Sequence, residues 1–140
     1  METQATKQLA HRYYEDVLNA GNLELLDQLL SQNFVDHSAS GDAIAGLDAF
    51  KDFLRMVTGA FPDMHIHVED IVAEGNKAAV RLAIHGTHKG TLMGSIEPTG
   101  KAARWSGIDI VEIAEGKIAA RWSERDLLGL MQQLGVVQLP

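Results

Sequence analysis

Apolar positions recur three and four apart in the N-terminal part of this chain and two apart after Pro62. Leu9, Tyr13 and Val17 fall four apart with Ala10, Tyr14 and Leu18 beside them, so Thr6 to Ala20 predicts a helix with a broad apolar stripe. Gly21 ends it. Asn22 reads as the N-cap of a short second helix, Leu23–Leu30, which Ser31-Gln32-Asn33 closes. Phe34-Val35-Asp36-His37 is brief and extended, and residues 38–41 form a loop. Phe50, Phe53, Leu54 and Val57 place a third helix over Leu47 to Thr58. Phe61-Pro62-Asp63 is a turn, because proline lacks an N–H and biases Phe61 away from helical angles.

Beyond that turn the spacing predicts strands. His65–Glu74 leads through Gly75-Asn76 into Ala78–His88, with Val80, Leu82 and Ile84 on one face and Ala79, Arg81, Ala83 and His85 on the other. A third strand covers Ala102–Ile113, and Glu115-Gly116-Lys117 turns into a fourth, Lys117–Arg125. Asp126 to Leu134 adds a last helical turn or two. Helices first and a meander afterwards is an α+β pattern. A twisted sheet curling over three helices makes a cone, whose interior is the natural place for a ligand.

The 140 residues suit a single domain spanning 1–140. With 12 Lys+Arg against 19 Asp+Glu the net charge is −7, and no basic run offers a phosphate backbone a surface, so no nucleic-acid partner is expected. Without cysteine, thiol nucleophiles and thiolate metal sites are excluded. No signal peptide is visible and no apolar run is long enough to span a bilayer, so a cytoplasmic protein without a membrane partner is expected.

The chemistry concentrates in the strands. By strict alternation Asp126 shares a face with Ile118, Ala120 and Trp122. A carboxyl at the pocket end of an apolar row is how a protein makes a stronger base from an ordinary anion. The plain alternative is that Asp126 caps the turn Leu127–Leu130. His88 has the parity of Val80, Leu82 and Ile84 and should face inward, or else serve as a turn histidine. His37 follows Asp36, but neighbours in a strand point opposite ways. Asp109 shares a face with Trp105, Gly107 and Val111, as a pocket group or as the ion-pair partner of Arg104, Arg121 or Arg125. Tyr13 and Tyr14 lie on the apolar side of the first helix, where a phenol can also reach a cavity. His65 and His67 share a strand face without an apparent third ligand, so no metal is expected. Gly86, Gly90 and Gly94 lie between strands and form no phosphate loop, and Gly-x-Ser-x-Gly is absent.

Phe61-Pro62-Asp63, Gly86-Thr87-His88-x-Gly90, Pro98-Thr99-Gly100-Lys101, Gly116-Lys117-Ile118 and Trp122-x-x-x-Asp126 together resemble the SnoaL-like polyketide cyclases, as do Tyr13-Tyr14 and Phe34-Val35-Asp36-His37. The resemblance spans essentially the whole chain. It implies a cone-shaped α+β barrel of the nuclear-transport-factor-2/ketosteroid-isomerase type, with three N-terminal helices on a curved antiparallel sheet, assembled as a homodimer or homotetramer. It also implies cofactor-free intramolecular aldol condensation of a small hydrophobic, polyketone-like molecule, with the acid/base aspartate at Asp126. Asp109 stands where members often carry His, and Ala120-Arg121 where they carry Glu-His, which alters the charge of the pocket. The expected pocket comprises Tyr14, His37, His88, Trp105, Asp109 and Trp122, with His88, Asp109 or Tyr14 donating to the enolate oxygen. Other readings are a non-catalytic binding module for an apolar metabolite, and a hydrolase or hydratase in which an Asp and Arg pair activates water.

Overall fold

The computed structural model describes residues 2–38 and 41–138. Helix α1 (Glu2–Arg12) runs into a π-helical stretch, Tyr13–Asn19. At its end the N–H groups of Ala20 and Asn22 reach the carbonyls of Glu15 and Val17, each five residues back. More residues per turn means less rotation between neighbours, so Tyr13 and Tyr14, then Val17 and Leu18, all reach the core. Gly21, at φ +71°, ends the run in the left-handed conformation.

The expected second helix is two shorter pieces, a 3-10 turn Leu23–Leu25 and α2 (Leu26–Leu29). Asn22 holds the cap position, but its side chain makes no capping bond. Ser31-Gln32-Asn33 do not end a helix; they lie inside strand β1 (Leu30–Ser38), whose buried residues are Leu30, Phe34 and Asp36. After a two-residue strand, β2 (Ile44–Ala45), come α3 (Leu47–Ala60), β3 (His65–Glu74), β4 (Lys77–Thr87), β5 (Ala102–Ala114), β6 (Lys117–Arg125) and α4 (Leu127–Leu134).

The six strands form one sheet in the order β2-β1-β6-β5-β4-β3. All neighbours are antiparallel except β1 and β6, which run parallel. The expected antiparallel barrel is therefore corrected to a mixed, open sheet. The cause is β1, which enters the sheet directly from the helical segment and meets its partner only at the far end of the chain. Such long crossovers are what parallel pairing requires.

Helices cover one face of the sheet, and alternation sorts each strand. Ala78, Val80, Leu82, Ile84 and Gly86 of β4 and Ala103, Trp105, Gly107, Asp109 and Val111 of β5 are buried. Tyr13, Phe34, Phe50 and Phe61 fill the space between. Phe50 is the hub, its ring 4.7 Å from Phe34 and 6.4 Å from Tyr13. Three register shifts break the sheet's regularity: in β1–β6 between Leu30 and Val35, in β3–β4 between Val68 and Asp70, and in β5–β6 between Glu112 and Ile113. No helix of the described residues is long and apolar enough to cross a membrane.

Candidate functional site

The β5–β6 bulge decides which side chains face the core. Ile113 opposes Ile118, but Glu112 opposes Ala120, so Ala119 is an extra residue on β6. One inserted residue reverses every later side chain. Arg121 is consequently buried and Trp122 stands 39% exposed on the outer face. Trp122 does not line the interior, contrary to strict alternation. It stacks on His37, its register partner on β1, with ring centroids 5.0 Å apart and planes at 12°. His37 is likewise outside, with Lys77 Nζ 5.7 Å from the Trp122 ring.

What the bulge turns inward is a charge network. Arg121 bonds Asp36 in a two-pronged contact, Nε to Oδ1 at 2.8 Å and Nη2 to Oδ2 at 3.1 Å, and its Nη1 donates to Tyr13 Oη at 3.3 Å. Arg125, at the end of β6, clasps Asp109, Nη1 to Oδ1 at 2.6 Å and Nη2 to Oδ2 at 3.2 Å. Tyr14 donates its hydroxyl to Asp109 Oδ2 at 2.6 Å, and Arg121 Nη1 lies 3.5 Å from the same oxygen. Gly107 makes the clasp possible, since a Cβ there would sit 2.6 Å from Arg125 Nη1. Two carboxylates thus meet two guanidiniums, as buried charges require.

The electrostatics follow. Burial alone would raise the Asp109 pKa, but Arg121, Arg125 and the Tyr14 hydroxyl outweigh it and hold the carboxyl below its ordinary value. Burial pushes the Tyr13 phenol up to about 12, against the pull of Arg121. Tyr14 is raised well above the usual range by burial and then by the Asp109 charge. An ionised Asp109 accepts hydrogen bonds and has none to give, and the Tyr14 proton is committed to it. Neither is free to serve an enolate oxygen as expected; both belong to a cluster in which Asp36 and Asp109 are balanced by Arg121 and Arg125.

His88 is inward-facing and fully buried, as its parity predicts. It is also a turn histidine. Its Nδ1 accepts the Thr99 N–H at 3.1 Å, and its backbone exchanges bonds with Lys101 and Gly100. Since Nδ1 accepts, the ring proton belongs on Nε2, which has no partner. The ring lies 5.5 Å from Phe61, which in turn lies 4.9 Å from Trp105. Tyr14, Asp109, Trp105 and His88 are therefore all interior.

Asp126 lies elsewhere. It is exposed, and its Oδ1 accepts the Gly129 N–H at 2.9 Å as the N-cap of α4. No apolar wall desolvates it. Its backbone N–H continues the β5–β6 ladder to the Ser106 carbonyl at 3.0 Å, and Oδ2 has no hydrogen-bond partner. Gly129 is the residue this pose demands, because a Cβ there would lie 2.2 Å from Oδ2. Asp126 borders a cleft of about 320 Å³ on the outer face of the sheet, together with His67, His85, Arg104 and Ser106. A second cleft of about 390 Å³ adjoins it across His85 and Arg104 and reaches Asp63, Thr87 and Gln133. Gln133 of α4 holds the edge of β5 at this cleft, its amide bonding both the N–H and the carbonyl of Arg104 in place of a strand neighbour.

The residues that sequence reasoning left out of the site are His85, Arg104, Ser106 and Gln133. Their signal is the register. His85 lies opposite both His65 on β3 and Arg104 on β5. The rings of His65, His67 and His85 lie 4.6–5.7 Å apart in every pairing. Among the described residues no group of three His, Cys, Asp or Glu side chains is arranged to hold a metal ion.

Helices over an open, mixed sheet with this strand order define an α+β fold of the SnoaL/NTF2-like class. Residues 8–134 match the SnoaL-like polyketide cyclases, and the chain belongs to that family. A structure described as a candidate SnoaL-like polyketide cyclase from Jannaschia sp. CCS1 superimposes with a TM-score of 0.90 over 98% of this chain and 96% of its own, at 19% identity. TsrD from Streptomyces laurentii gives 0.85 at 28% identity, covering 98% and 99% of the two chains. IdmH from Streptomyces antibioticus, described as a candidate polyketide cyclase, gives 0.80 at 29% identity over 94% and 99%. No curated protein is significantly similar in sequence.

Proposed function

We propose that the chain is a cofactor-independent cyclase that closes a small polyketone-like molecule by intramolecular aldol condensation, with Asp126 as the acid/base. The observation that carries this is the pose of Asp126: one carboxylate oxygen is anchored by a backbone N–H while the other is left without a partner at a cleft. A carboxylate so held is a positioned proton acceptor. In the proposed reaction Oδ2 takes a proton from a carbon between two carbonyls. The enolate carbon attacks a second carbonyl of the same chain, and the alkoxide formed recovers the proton from Asp126. Ser106, His67 and His85 border the same cleft and supply the donors toward the enolate oxygen. Because Asp126 is exposed, desolvation must come from the substrate covering it. Holding the flexible chain in a reactive fold contributes several kcal/mol more.

A linear tetraketone tests the reading, since its aldol closure and loss of one water give a dihydroxyaromatic product with its own absorbance. The protein is expected to accelerate that closure at neutral pH, and a rate equal to buffer would refute the proposal.

The same sheet face suggests self-association. Ile108 is 52% exposed, Ile110 42% and Trp122 39%, adjoining one another on β5 and β6. Contiguous apolar area of this kind marks an interaction surface, and the chain is proposed to pair through it as a homodimer. Ile110→Asp should shift the mass measured by light scattering from dimer to monomer. A wild-type protein that is already monomeric overturns this assembly.

A further inference from the structure

The arginines of this chain divide unevenly. Arg12, Arg55, Arg81, Arg121 and Arg125 each pair with a carboxylate. Arg104 alone among the described arginines does not: its backbone is bonded by Gln133, but its guanidinium has no hydrogen-bond or ion-pair partner. Acids outnumber bases by 19 to 12, so an unpaired guanidinium here is not for want of carboxylates. It stands where the two clefts meet, opposite His85 in the β4–β5 register. His85, His65 and His67 contact one another through their rings and spend no ring nitrogen on a protein hydrogen bond. Two acids border the same clefts. Asp63 is occupied, its two oxygens taken by the Thr87 N–H and hydroxyl at 2.7 and 2.8 Å. Asp126 is within reach of the cleft yet makes no ion pair with Arg104. A forked donor that pairs with neither acid bordering its clefts, and that stands beside a row of imidazoles, is a receptor for a planar anion.

We infer that the substrate carries a free carboxylate, received by Arg104 with His85 alongside, so that the molecule is a polyketone acid and not its neutral ester. This rests on the reading of Asp126 as the base and adds the substrate class. The carboxylate would lie on Arg104 while the enolisable carbon faces Oδ2 of Asp126. Gln133, by bonding the Arg104 backbone from the helix that Asp126 caps, sets the spacing between receptor and base.

The test is binding, read apart from turnover. Succinylacetone, which joins an enolisable diketone to a carboxylate, is titrated against its methyl ester by calorimetry with the wild type, Arg104→Gln, Arg104→Lys and Asp126→Asn. The acid should bind the wild type on the order of 10- to 100-fold more tightly than the ester, as a charge-assisted pair implies. Arg104→Gln should erase that preference, and Arg104→Lys, keeping charge without the fork, should retain part of it. Asp126→Asn should leave the preference in place. Arg104 is exposed and its backbone bonds do not depend on its side chain, so the variants should fold, which thermal melting confirms. Equal binding of acid and ester by the wild type overturns the inference, as does an undiminished preference in Arg104→Gln. If instead the acid preference follows Arg104 while Asp126→Asn turns over normally, the receptor stands and the acid/base assignment fails.

Discussion

Asp126→Asn should abolish cyclisation while leaving the protein as stable as the wild type. The two effects separate because Asp126 has two oxygens with different duties. Oδ1 caps α4 by accepting the Gly129 N–H, and asparagine offers the same acceptor with equal preference at an N-cap. Oδ2 is the proposed base, and an amide cannot take up a proton near neutrality. Losing a positioned base costs about 10²–10⁴-fold in rate, so turnover should fall by that factor with Tm unchanged. Asp126→Ala should lose both, adding about 1 kcal/mol of destabilisation from the missing cap. Gly129→Ala gives an independent check. Alanine favours helix, but its Cβ would collide with Oδ2, so the carboxylate must swing away and activity should drop without loss of fold. Full turnover in Asp126→Asn would remove the acid/base assignment. Unchanged affinity with no chemistry in any variant would instead favour a binding module.

The largest effect on stability is expected from Asp109→Asn. Asp109 is fully buried and answers both Arg125 and Arg121. Removing one charge from a buried pair leaves the other uncompensated, at a cost of about 3–5 kcal/mol. Replacing the whole set by apolar residues could cost far less, because the intact network does not itself guarantee net stabilisation. The same group predicts a pH dependence. Its folded-state pKa is depressed below the ordinary 3.8, so the unfolded chain takes up a proton first as acid is added. The stabilisation is therefore complete above about pH 4–5, and is lost progressively as pH falls through 3.8 toward the folded value. Urea midpoints between pH 6 and pH 3 should decline steeply for the wild type. For Asp109→Asn they should start lower and decline less.

The element pattern was legible because period and turn chemistry are local. β3 and β6 have the bounds that alternation predicts, and the Gly75-Asn76 and Gly116 turns lie where expected. The burial of Asp109 and His88 was legible too, since Asp109 shares parity with apolar neighbours on β5 and His88, one residue past the end of β4, keeps the parity of Val80, Leu82 and Ile84. Bulges are what hid the rest. Nothing in Lys117–Arg125 announces that Ala119 is supernumerary, yet it exchanges Trp122 for Arg121 in the interior and puts Asp126 on the outer face. The bulge past Val68 likewise moves His65 opposite His85, where counting from the turn would give Gly86. The parallel contact of β1 with β6 is a long-range choice with no signature in either segment.

That contact has a consequence for how the protein is made. Asp36 and Arg121 are separated by 85 positions, and a ribosome adds about 5–20 residues each second. For several seconds the nascent chain therefore holds the first half of its central ion pair, and the slot beside β1, with nothing to fill them. The antiparallel meander β3–β5 can zip up locally as it emerges, but β1 has no long strand to pair with, and that side of the sheet cannot be completed, until β6 arrives. Maturation should consequently be a single late event, and truncated chains ending before Arg121 should resemble clients of chaperones more than small versions of the protein.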